Sequence, residues 1–154
     1  MSYPKAKAFL AQMGFADRII VFETSTATVA LAAAALGVED ACIAKSVALF
    51  ADKTPILVLT DGVAKIDNRK FKETFHAKAK MIPFDEVEAN IGHAPGGVSP
   101  FGRNASVPVY LDESLKRHVR VYPAAGDDHT AVDLSVAELA ALTGGGWVDV
   151  TKGD

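Results

Sequence analysis

The eleven residues from Gly92 to Gly102, GHAPGGVSPFG, combine four glycines and two prolines around a single serine. Glycine lacks a conformational restraint and proline lacks an N–H, so this stretch cannot form a regular helix or strand. Val98 and Phe101 within it mark a shaped loop anchored on a core rather than a free linker. Glycines let a ligand approach bare main-chain N–H groups, and prolines fix the path, which suits a small-ligand pocket. An ordinary surface loop has the same composition, and composition alone does not separate the two.

Lys45 is the second residue whose setting points to chemistry. It interrupts ACIAKSVALF, a run otherwise suited to a buried strand, and lysine is rarely buried without a partner or a task. On strand alternation Lys45 shares a face with Ile43 and Val47, and that face either meets water or lines a pocket. In a pocket the ammonium would bind a phosphate, a carboxylate or a carbonyl oxygen.

The remaining reactive side chains make weaker patterns. His76, His93, His118 and His129 lack metal-site spacing, and no Cys/His pair lies close in sequence, so no metal or other cofactor is expected. Ser99 sits in VSP rather than GxSxG, which argues for a hydrogen-bonding or loop-shaping hydroxyl instead of a nucleophile. The single cysteine, Cys42 in ACIA, reads as a core residue, and Asp127, Asp128 and His129 read as a polar turn.

A chain of 154 residues with 49% hydrophobic and 23% charged residues suits one domain over 1–154 with its own core. No run approaches the roughly 18 apolar residues of a membrane span, and the N-terminal MSYPKAKAFL lacks a signal-peptide core, so a cytoplasmic location away from membranes is expected. The net charge of −3 argues against strong general nucleic-acid binding. Locally, Lys65 to Lys80 carries Lys65, Arg69, Lys70, Lys72, Lys78 and Lys80 against Asp67 and Glu73, a face that fits either phosphates or plain solvent.

The elements that must hold these residues follow from periodicity and punctuation. Pro4 starts a helix to about Met13, RIIVFE at Arg18 to Glu23 is a strand, and Thr24, Ser25 and Thr26 offer caps for an alanine-rich helix ending at Gly37. Ala41 to Phe50 and Pro55 to Thr60 are strands around a turn at Ala51 to Thr54, Asp61-Gly62 is a turn, and Asp67 caps a basic helix to about His76. A short strand at Lys80 to Ile82 precedes a brief helix with capping-box spacing at Asp85 and Glu88. Val107 to Leu111, Val119 to Tyr122 and His129 to Leu134 are further strands. Ser135 and Glu138 frame a last capping box, and Trp147 to Val150 closes the chain as a strand. Clustered strands without clean βαβ alternation predict an α+β fold with a mixed sheet. Neither GxGxxG nor a phosphate-loop lysine motif occurs.

IAKS at Ile43 to Ser46, GGVSPFG at Gly96 to Gly102, the AAG turn at Ala124 to Gly126 and the closing DLSVAELAALTG together resemble, in order and spacing, the YbaK and prolyl-tRNA-synthetase-associated domain family. The resemblance spans nearly the whole chain. It implies a barrel-like mixed sheet flanked by helices, and hydrolysis of the ester that joins a wrong amino acid to a tRNA 3′ end. It implies further that Lys45 holds the terminal adenosine region and that Gly96, Gly97, Val98, Ser99 and Pro100 cradle the aminoacyl carbonyl. Thr24, Ser25, Phe101, Gly126, His129 and Ala131 are then expected around the substrate, and Arg69, Lys70 and Lys72 against the acceptor stem. In this family a water placed by substrate and backbone, or the substrate's own thiol, attacks the ester, so no side-chain nucleophile is needed.

On that resemblance the expected substrate is tRNA-Pro carrying a small amino acid such as alanine or cysteine, with prolyl-tRNA synthetase as a partner in trans. A non-catalytic module that binds the same aminoacyl or nucleotide end is the alternative. Two departures bear on substrate choice: Ala124 stands where the family turn often begins with Gly or Ser, and Ala131 stands where some members carry an acid.

Overall fold

The computed structural model describes residues 2–152. Helix α1, Tyr3–Gln12, carries a proline in its first turn and buries Ala6 and Leu10. Strand β1, Ile19–Val21, follows. The alanine helix α2, Val29–Leu36, is capped by Thr28, whose hydroxyl accepts from the Leu31 N–H at 3.2 Å. The cap therefore lies downstream of Thr24, Ser25 and Thr26. The Thr26 N–H is already committed to the Asp128 carbonyl at 2.6 Å, which holds this segment extended and delays the helix.

Strands β2, Ala44–Ala51, and β3, Thr54–Asp61, form an antiparallel hairpin through a two-residue turn. Cys42, expected in the core, instead ends a 3-10 turn and is half-buried. Helix α3, Asn68–Phe75, starts where the Asp67 carboxylate accepts from the Lys70 N–H, as the sequence predicts. Strand β4, Ala79–Met81, leads to a 3-10 turn and helix α4, Val87–Ile91, which has no side-chain cap; Asp85 and Glu88 form no capping box, because the N-cap is Glu86 and Glu88 then stands at the second helical position rather than the third.

After the glycine-rich loop come β5, Val109–Asp112, and β6, Arg120–Val121. The run expected as one strand over His129 to Leu134 is two: β7, Thr130–Val132, pairs with β1, whereas β8, Leu134–Ser135, pairs with β6. Helix α5, Val136–Thr143, has the full capping box of Ser135 and Glu138, and β9, Gly146–Val148, ends the sheet.

The main sheet has the order β4-β2-β3-β5-β9, with β2 antiparallel to β3 and β4 and with β5 parallel to β3 and β9. The α+β class and mixed pairing agree with the sequence. The sheet is not closed: β4 and β9 are its edges, and two short ribbons, β1-β7 and β6-β8, stand apart from it. β4 pairs only with Leu49, Phe50 and Ala51 of β2, and Tyr122 meets the same edge only at an isolated bridge to Ile43, so the sheet stays open between them.

One face of the sheet packs Leu57, Leu59 and Leu111 with Leu10, Ile91, Phe101 and Leu134 of β8. The other packs Leu49, Ile56 and Val58 against Phe71 of α3. Burial of such side chains, at roughly 1.5–3 kcal/mol each, fixes the sheet on which the site is built. No helix among the described residues is long and apolar enough to cross a membrane.

Candidate active site

Beside the open part of the β2 edge lies a cavity of about 540 Å³. Its wall includes Ala44 to Ala48 of β2, Thr26 to Val29 at the start of α2, Ala64 to Ile66 after β3, and Pro95, Gly96 and Val98 of the glycine-rich loop. Tyr122, Ala124, Thr130 and Ala131 close another side.

Three main-chain segments distant in sequence meet here, and glycine makes the meeting possible. A Cβ on Gly97 would lie 2.6 Å from the Asp127 Cα and 2.7 Å from its N, so the loop and the Gly126 turn pack backbone against backbone. Gly96 has φ +88, the left-handed region, and its Cβ position faces Ala27 at 3.6 Å and Asp128 at 3.9 Å. The GGVSP loop, the AAG turn and the threonine-rich segment are thus parts of one surface. Among the described residues, the Gly96 and Val98 N–H groups bond to no other protein group, which leaves two main-chain donors at the cavity.

The loop is held from behind. Ser99 is buried, and its hydroxyl accepts from the Phe101 N–H at 3.1 Å; it shapes the loop and does not reach the cavity. Phe101 is fully buried and stacks on Phe9 with centroids 5.8 Å apart. His93, also fully buried, donates from Nε2 to the Phe101 carbonyl at 2.7 Å and accepts the Ser2 hydroxyl at Nδ1. Burial pushes its pKa below the ordinary histidine value, so it is held neutral. The Ser2 N–H donates to the Gly126 carbonyl at 3.1 Å, so the start of α1 ties the loop to the turn.

Lys45 lines the cavity and donates from Nζ to the Ala64 carbonyl at 2.7 Å. Burial lowers its pKa, while the nearby Asp61 carboxylate opposes the shift. Asp61 is 1% exposed and shapes the loop that Lys45 meets: its Oδ1 accepts from Val63 and Ala64 N–H groups at 3.0 and 2.9 Å. In the sequence Asp61-Gly62 marks only a turn. The strength of the Asp-Gly signal was sound, but nothing local in it pointed to a lysine sixteen residues upstream.

The other expected contacts divide. Ala131 is 2% exposed and lines the cavity, whereas Thr24, Ser25, Gly97, Pro100, Gly126 and His129 lie outside its wall. His129 is held at Nδ1 by Asp128 at 2.7 Å, at the rim of the turn. In place of Thr24 and Ser25 the structure sets Thr26, Ala27 and Thr28 against the cavity. On α3, Arg69 pairs with Glu73 at 3.2 Å, and Lys70 reaches Asp149 at 3.1 Å and the Thr151 carbonyl at 2.8 Å. Of the basic segment, only Lys65 joins the cavity wall.

Comparison with known proteins identifies the family to which the chain belongs. The model of the aminoacyl-tRNA editing domain matches residues 23–142. The chain is 40% identical to the uncharacterized protein YwhH of Bacillus subtilis (strain 168), covering 99% of this chain and 98% of that protein. It is 28% identical over 77% of its length to 74% of EbsC of Enterococcus faecalis (strain ATCC 700802 / V583), provisionally named a Cys-tRNA(Pro)/Cys-tRNA(Cys) deacylase. A crystal structure provisionally titled a trans-editing enzyme for prolyl tRNA synthetase superposes with a TM-score of 0.88 at 31% identity, over 99% of this chain and 98% of that one. The family match over residues 23–142 and the 40% identity to YwhH over nearly all of both chains place the chain in the aminoacyl-tRNA editing domain family.

Proposed function

We propose that the protein is a trans-acting deacylase that hydrolyses the ester of a mischarged tRNA, with tRNA-Pro bearing alanine or cysteine as the expected substrate. The observation that carries this reading is the placement of Lys45 and the free Gly96 and Val98 N–H groups on one cavity. Water adds to the ester carbonyl, the oxyanion draws on the main-chain donors, and the C–O bond to the ribose breaks. The products are the free amino acid and the tRNA 3′ hydroxyl. Donors fixed in advance where charge develops are worth roughly 3 kcal/mol each in such steps. Lys45, with its ammonium set by the Ala64 carbonyl, holds the terminal nucleotide.

The small, apolar character of Ala131, Ala124 and Val98 favours a short amino-acid side chain. Prolyl-tRNA synthetase, which charges the same tRNA, is the expected partner in trans. Incubating the protein with a panel of tRNAs charged with alanine, cysteine, serine and proline tests this reading. Clearance of at least one small-amino-acid ester, with proline spared, is expected.

A binding module for the same end is the second reading, favoured by the fact that, among the described residues, no histidine, cysteine or carboxylate lines the cavity. Tight binding of an aminoacyl-tRNA without hydrolysis would decide for it.

A further inference from the structure

Besides the Gly96 and Val98 N–H groups, the cavity wall leaves polar groups without a partner at Ser46. Among the described residues its Oγ is the buried side-chain polar atom that finds no hydrogen-bond partner. A buried hydroxyl in that condition costs stability, so its retention calls for an explanation.

The main chain around it is open in the same way. On the edge of β2 away from β3, the Ala44 N–H donates to the Tyr122 carbonyl at 3.3 Å, and the Ala48 carbonyl accepts from the Ile82 N–H at 3.2 Å. Alternate residues of a strand turn their main-chain groups to the same edge, so the Ser46 N–H and carbonyl also face outward. Neighbouring chain covers the edge at 44 and at 48 but not at 46, and the cavity fills the gap.

A one-residue gap in a strand edge has a chemical match. An aminoacyl group carries an amine donor and a carbonyl acceptor in the same relation as one residue of an added strand, whatever its side chain. Among the described residues the cavity wall offers Lys45 and Lys65 and no carboxylate, which leaves neutral oxygens as the acceptors for an amine.

We infer that Ser46 reads the α-amino group of the aminoacyl moiety, with its main-chain carbonyl and Oγ accepting from the amine while its N–H donates to the acyl carbonyl. This rests on the deacylase reading for the choice of ligand. Ser46 is then a specificity residue that recognises an aminoacyl ester as such, while Ala131 and its neighbours gauge the side chain.

The test uses stable amide analogues, so it does not depend on hydrolysis. Binding of 3′-alanylamido-3′-deoxyadenosine and of its propionyl counterpart, which lacks the amine, is measured for wild type, Ser46→Ala and Ser46→Thr. Wild type and Ser46→Thr are expected to prefer the alanyl compound about tenfold, the worth of a hydrogen bond near the upper part of the usual range, and Ser46→Ala to lose most of that preference. Ser46→Ala should unfold at an equal or higher temperature, since it removes an unpaired hydroxyl. An unchanged alanyl-to-propionyl ratio in Ser46→Ala, or equal loss of both ligands, overturns the assignment. Failure of wild type to bind either analogue, together with no clearance in the aminoacyl-tRNA panel, overturns the deacylase reading itself.

Discussion

The Lys45 ammonium is fixed to the Ala64 carbonyl at 2.7 Å, and that carbonyl is in turn fixed by the Asp61 carboxylate, which takes the Val63 and Ala64 N–H groups. The position of the cation is therefore set by a buried acid that does not itself line the cavity. Asp61→Ala would leave two N–H groups without their acceptor and is expected to cost about 3 kcal/mol of stability in urea unfolding, with activity falling further than the unfolded fraction explains. Asp61→Asn keeps an acceptor oxygen and should retain more of both.

The backbone contact between the loop and the turn sets a contrast between adjacent glycines. Gly97→Ala would drive a methyl into the Asp127 main chain and is expected to cost roughly 2–3 kcal/mol and most activity. Gly96→Ala meets only ordinary contacts and carries the left-handed strain alone, about 1–2 kcal/mol. Denaturant midpoints of the two variants check the order.

His93 should make stability sensitive to mild acid. Its folded pKa lies below the unfolded value of 6.5, so the unfolded chain takes up the proton first. The contribution of the neutral ring is complete above that value and is lost as pH falls from it toward the folded pKa. The melting temperature should drop between about pH 7 and pH 5 in the wild type, and His93→Gln should flatten that part of the profile. Arg18 holds the Glu138 carboxyl at about 2 through their hydrogen bond, so loss from that pair belongs to a separate window, beginning near 4.5 and extending downward.

For tRNA contact, the structure shifts the expectation along the basic segment. Lys70→Glu breaks an ion pair to Asp149 and a bond to Thr151, so it should lower stability as well as any tRNA affinity. Lys65→Glu, on the exposed cavity wall, should weaken tRNA binding and reduce the slope of log affinity against log salt by about 1 while leaving the melting temperature near that of the wild type.

Much of this was legible in the chain because it is written locally. The hairpin of β2 and β3, the Asp67 cap and the Ser135 capping box all rest on residues within a few positions of one another. The β1-β7 pairing was not legible, since its partners lie more than a hundred residues apart, nor was the split between β7 and β8, since nothing in the run itself marks where pairing passes from β1 to β6. At the site, Lys45 and the glycine-rich loop announced themselves by composition. Ser46 did not, because a serine in a strand is unremarkable until both of its edge neighbours are seen to be paired and it is not. Thr24 and Ser25 are expected at the substrate on the family resemblance, yet the Thr26 bond to Asp128 sets the register that presents Thr26 to Val29 to the cavity instead.

The central claim is that Lys45 and the main-chain donors of the loop form a hydrolytic site for aminoacyl-tRNA. Its most direct test is the rate of deacylation of alanyl- and cysteinyl-tRNA-Pro by wild type and by Lys45→Ala, with folding of the variant confirmed by its melting temperature. The account predicts turnover of at least one substrate by the wild type and loss of most of that rate in the variant. Equal rates in the two proteins, or no turnover by the wild type of any aminoacyl-tRNA offered, would contradict it.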